Sequence, residues 1–86
     1  MMMIQIWGRK RGSAQDMVLL IESDGVSTGG RVVDARAIKD FAVASARRSV
    51  QPFREKNIEG YVLFEGDTTR YEFTPEADFA YPACDC

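Results

Sequence analysis

The chain has 86 residues, with 11 Lys and Arg against 13 Asp and Glu, giving a formal net charge of -2. At 45 % apolar and 28 % charged residues it lies near the globular average and away from disordered compositions. Histidine is absent, which excludes a His-assisted nucleophile, a His general base and a His-ligated metal within this chain.

The length suits a single domain with one modest core. Met1 to Gly8 lacks the basic and then apolar stretch of a secretory signal. The longest aliphatic run, Met17 to Ile21, is far too short for a membrane span. Two cysteines one residue apart, Cys84 and Cys86, make a poor disulfide framework. The expected setting is cytoplasmic, with no membrane partner.

Met2 to Trp7 alternates, with Met2, Ile4 and Ile6 on one face and Met3, Gln5 and Trp7 on the other, which predicts a strand. Trp7 is expected in the core. Arg9-Lys10-Arg11-Gly12-Ser13 then marks a loop or hairpin turn. The apolar run Met17 to Ile21 suits a strand covered on both faces, or a central strand beside a helix. Asp24-Gly25 is a hairpin signal, because glycine accepts the positive φ of a type I′ turn. A short third strand is expected at Val26 to Thr28 or at Arg31 to Val33.

Asp34 to Val50 is the clear helix. Asp34 is suited to cap it, and five alanines between 35 and 46 favour it. At 100° per residue, Ala35, Ile38, Phe41, Ala42, Ser45, Ala46 and Ser49 fall on one small apolar face, expected to lie on a sheet. Pro52 disfavours helical geometry at Gln51, so the helix is expected to stop or kink there. Ile58 to Glu65 and Thr69 to Thr74 form a second hairpin around Gly66-Asp67-Thr68, with Val62 and Phe64 facing Tyr71 and Phe73. Residues 76–86 read as a less ordered acidic tail from which Phe79 and Tyr81 tuck onto the domain. The order ββ(β)αββ predicts one α+β domain over residues 1–86, an antiparallel sheet of four to five strands with one helix on one face.

Little chemistry is written into this chain. Cys84-Asp85-Cys86 supplies two thiols where structural zinc wants four ligands, so no metal and no cofactor are expected. Ser27 to Arg31 lacks the lysine and the spacing of a phosphate-binding loop. The carboxylates 65, 67, 72, 76 and 78 have no evident cleft to work in. No catalytic residue is assigned, and the chain reads as a non-enzyme.

Charge is more informative. Residues 9–56 hold ten basic and six acidic side chains, for +4, whereas residues 57–86 hold seven acidic and one basic, for -6. Such a polar distribution favours oriented docking on a charged protein surface. The acidic hairpin residues Glu65, Asp67 and Glu72 are the first candidate contact, aimed at a basic, nucleic-acid-binding surface of a larger host protein. Arg36, Val43, Arg47 and Val50 form a helix stripe opposite the expected core face, and arginine around an apolar patch is the composition of interface centres. Arg9, Lys10 and Arg11, with Trp7 nearby, offer phosphate contacts and a stacking ring, although the acidic total weighs against direct nucleic-acid binding.

The leading expectation is a non-enzymatic protein-binding module that masks a site on a larger protein. In size, charge and want of motifs it is similar in character to small phage or mobile-element inhibitors such as anti-CRISPR proteins. The alternative is a small nucleic-acid-binding regulator using residues 9–11 and the helix arginines. A third reading is a subunit that completes its core as a homodimer.

Overall fold

The computed structural model describes residues 3–24 and 35–81. In chain order these form β1 (Met3–Lys10), β2 (Val18–Asp24), α1 (Ala35–Glu55), β3 (Ile58–Phe64) and β4 (Tyr71–Phe73). The strands make one antiparallel sheet in the order β2-β1-β3-β4, with α1 against β1 and β3. The expected α+β architecture is therefore present, with four strands among the described residues. Asp34, the Asp24-Gly25 turn and both placements of a further strand fall wholly or partly outside them.

Alternation in β1 and β3 sorts the sheet into two faces. Ile4, Ile6, Val62, Phe64 and Phe73 are buried toward the helix, where they meet Ala42, Ala46, Val50 and Phe79. Met3, Gln5, Trp7 and Arg9 point the other way, as do Glu59, Tyr61 and Leu63 in register with them. Phe79 is 2 % exposed and Tyr81 packs against the same core, so the segment after β4 folds back as expected for these two rings. Each fully buried ring or branched side chain contributes roughly 1.5–3 kcal/mol.

Four expectations are corrected. The helix continues through Pro52 to Glu55. Its last turn is held by tertiary contacts: Phe53 packs on the core, and the Arg54 Nε–H donates to the Thr74 carbonyl at 3.0 Å. The chain leaves the helix at Asn57, whose φ of 63° is the left-handed conformation that asparagine tolerates. Its carbonyl accepts from the Arg11 N–H at 2.9 Å, tying the helix end to the β1–β2 turn.

The buried face of the helix also differs from the expected one. Val43, Val50 and Phe53 share a stripe with Ala42 and Ala46 and bring more apolar area to the sheet than Phe41 with two serines. Val50 is 0 % exposed and Val43 is half-buried, whereas Phe41 is 58 % exposed. The Met17–Ile21 run is not a central strand. β2 lies at an edge of the described sheet, with Val18 and Leu19 exposed and Leu20 and Ile21 against the core. A register shift opposite Ile6 and Trp7 lets both Leu20 and Ile21 reach the helix side. Trp7, finally, sits half-exposed on the face away from the helix.

Candidate functional site: the sheet face away from the helix

The helix covers one face of the sheet, and no described element packs on the other. That second face carries polar and aromatic side chains in register. Gln5 pairs with Glu22 of β2 and Leu63 of β3, and Trp7 with Leu19 and Tyr61. Tyr61 in turn faces Glu72 of β4. The Trp7 and Tyr61 rings lie nearly parallel, 14° apart with centroids separated by 6.3 Å. The Trp7 indole N–H donates to Gln5 Oε1 at 3.3 Å, and the Gln5 amide donates to Glu22 Oε2. One hydrogen-bonded chain thus links the aromatic pair to a carboxylate of β2.

At one end of this face lies a hollow of about 400 Å³. Met3, Gln5 and Leu63 line it together with Glu22, Glu65 and Asp67. Glu65 closes the sheet end in both directions: its N–H donates to the Met3 carbonyl at 2.9 Å, and its Oε2 accepts from the Met3 N–H at 3.3 Å. Asp67 holds the β3–β4 connection, accepting from the Thr69 N–H at 2.9 Å and from the Tyr71 hydroxyl at 2.7 Å. The Tyr71 pKa lies above its ordinary value, first through the hydrogen bond to Asp67, then through burial, and then through repulsion between that carboxylate and the phenolate. A smaller hollow of about 170 Å³, bordered by Arg9, Met17, Glu59 and Glu72, opens farther along.

The candidate residues are therefore regrouped. Glu65 and Asp67 line one hollow together with Glu22, while Glu72 belongs to the second hollow. The helix stripe does not form an exposed patch: Val50 is in the core, and the Arg47 guanidinium lies 5.5 Å over the Phe79 ring. The side chain of Arg36 lies outside the described residues. Of the basic trio, Arg9 pairs with Glu59 at 3.3 Å and donates to the Gln15 carbonyl at 3.0 Å. Arg11 pairs with Glu76. Lys10 is exposed at the end of β1.

Glu22 and Tyr61 are not singled out by the sequence. Their signal was the polar phase of each strand alternation, which marks a sheet face only once the neighbouring strands are known. Among the described residues no group of three or more His, Cys, Asp or Glu is arranged to hold a metal ion. Cys84 and Cys86 fall outside them. No helix among the described residues is long and apolar enough to cross a membrane. No family model matches the chain, and no curated protein or solved structure matches it.

Proposed function

We propose that this is a non-enzymatic protein-binding module that masks a functional site on a larger protein, with the sheet face away from the helix as its contact surface. The observation that carries this reading is the convergence of Glu22 from β2 with Glu65 and Asp67 from the β3–β4 connection on one hollow with Met3 and Leu63 in its wall. Carboxylates around an apolar patch suit a surface rich in lysine and arginine, such as a nucleic-acid-binding groove. The reading we propose is that of a small phage-type inhibitor, similar in character to an anti-CRISPR protein. The competing nucleic-acid reading is weakened because Arg9 and Arg11 already engage Glu59 and Glu76.

The test is affinity capture from nuclease-treated lysate of the native host, comparing the wild-type chain with Glu22→Lys/Glu65→Lys. The expected result is a stoichiometric protein partner whose affinity drops at least about tenfold with the double variant. A partner lost on nuclease treatment of the wild-type sample would overturn this reading in favour of direct nucleic-acid binding.

A further inference from the structure

Beside the acidic hollow, the same face holds an aromatic floor. Trp7 and Tyr61 are cross-strand partners on β1 and β3, and their near-parallel rings lie side by side. The guanidinium carbon of Arg70 sits 4.7 Å from the Tyr61 ring centroid, within cation–π range. Among the described residues no cation lies over Trp7. Its indole is held in place from the side by Gln5, which Glu22 holds in turn.

We infer that Trp7 receives an arginine side chain of the protein partner, its guanidinium over the indole as that of Arg70 lies over Tyr61. The inference rests on the reading of this face as a protein-binding surface and names the chemistry read there. Charge complementarity selects the occupant. Glu22, Glu59 and Glu72 share the face with Arg9 and Arg70, and Glu59 already neutralises Arg9. The field over the rings is left acidic, which attracts a cationic peptide and repels a phosphate backbone. Tryptophan is the best of the aromatic rings for a cation. A planar guanidinium stacks on that ring and still directs its N–H groups sideways to carboxylates, which a compact ammonium does not do.

Trp7 is the only tryptophan in the chain, so its fluorescence reports on this site directly. The experiment titrates the full chain with a glycine–arginine repeat peptide, its glycine–lysine counterpart and a single-stranded oligothymidine. The expected result is a saturable change in Trp7 emission with the arginine peptide, at an affinity about three- to tenfold above that of the lysine peptide. Calorimetry on Trp7→Leu should show about tenfold weaker arginine-peptide binding, with Trp7→Phe restoring part of it and Phe41→Ala leaving it unchanged. Equal affinity for the two peptides, or binding indifferent to Trp7→Leu in a variant with wild-type circular dichroism, would overturn the inference. So would saturation by oligothymidine, or a homodimer in sedimentation that buries Trp7. If the peptide arms fail while Glu22→Lys/Glu65→Lys still releases the captured partner, the arginine site falls and the masking function stands.

Discussion

Gly8 of β1 and Gly60 of β3 face each other across the central strand pair, and neither position has room for a side chain. A Cβ on Gly60 would lie 1.8 Å from the Trp7 carbonyl oxygen and 2.7 Å from the Gly8 Cα. Both obstacles are backbone, so no rotamer change relieves them.

Gly60→Ala is accordingly expected to cost about 3 kcal/mol or more in urea unfolding, because the two central strands must separate to admit one methyl group. Gly12 is the control. Its φ of 81° strains an alanine, but nothing lies within 4 Å, so Gly12→Ala should cost only about 1 kcal/mol. Equal losses for the two would mean that the close approach of β1 and β3 is wrong.

The orientation of α1 is tested by a pair of truncations. Val50→Ala removes two methyl groups from a site with no solvent exposure and should cost about 2 kcal/mol. Phe41→Ala removes a larger side chain that is 58 % exposed, and should change stability by less than about 0.5 kcal/mol. The larger loss belongs to the smaller deletion, an ordering that the face containing Phe41, Ser45 and Ser49 would reverse.

Arg54 anchors the segment after β4. Its Nε–H donates to the Thr74 carbonyl at 3.0 Å, its Nη1 lies 3.9 Å from Asp78 Oδ2, and its side chain is 17 % exposed. Arg54→Ala should lower stability by about 1–2 kcal/mol, mostly through the lost bond to Thr74. Amide exchange at Ala77 and Phe79 should accelerate while that of β1 stays slow. Uniform acceleration across the sheet would show that Arg54 supports the whole fold instead.

Tyr71 makes the stability sensitive to alkaline pH. The Asp67 carboxylate favours its protonated form, so the folded pKa is raised above that of the unfolded chain. The resulting stability is complete below the unfolded value and is lost as pH rises through the folded one. Tyrosinate absorbance, read as the difference from Tyr71→Phe, should show a transition displaced upward. In Asp67→Asn it should return toward the ordinary tyrosine range.

Glu76 responds at the opposite end of the scale. The Arg11 guanidinium holds its carboxyl below the ordinary glutamate range. The associated stability is present above the unfolded pKa and lost as pH falls through the folded one. Both side chains are well exposed, so salt should weaken the effect. A carboxyl carbon titration by NMR should find Glu76 depressed in the wild-type chain and returned to normal in Arg11→Ala.

The fold class and most elements were legible because local signals agreed: alternation in β1 and β3, alanines in α1, and Gly66 in the second turn. The helix end is not legible, because Pro52 is a strong local breaker and only the distant partners of Phe53 and Arg54 outweigh it. The core face is misplaced for a second reason: Val43 and Val50 carry more apolar area than Ser45 and Ser49, but only the sheet they pack on shows which stripe it selects. The charge split was legible, but its destination was not. Arg9, Arg11 and Arg54 from the basic part pair with Glu59, Glu76 and Asp78 from the acidic part, so much of the asymmetry is neutralised within the fold. Glu65 and Asp67 stand out in the sequence as carboxylates of one hairpin, whereas Glu22 lines the same hollow only because β2 pairs with β1.

β1 is hydrogen-bonded on both edges, to a strand that precedes the helix and to one that follows it. The β1–β2 hairpin therefore leaves the ribosome with its inner edge unfilled, and Ile58–Phe64 reach that edge only after the whole helix has been made. During that interval Ile4 and Ile6 lie beside an open row of amides and carbonyls, a template for any strand that arrives first. The chain's period of greatest risk for mispairing is thus set by its topology, and any condition that delays the second hairpin lengthens it.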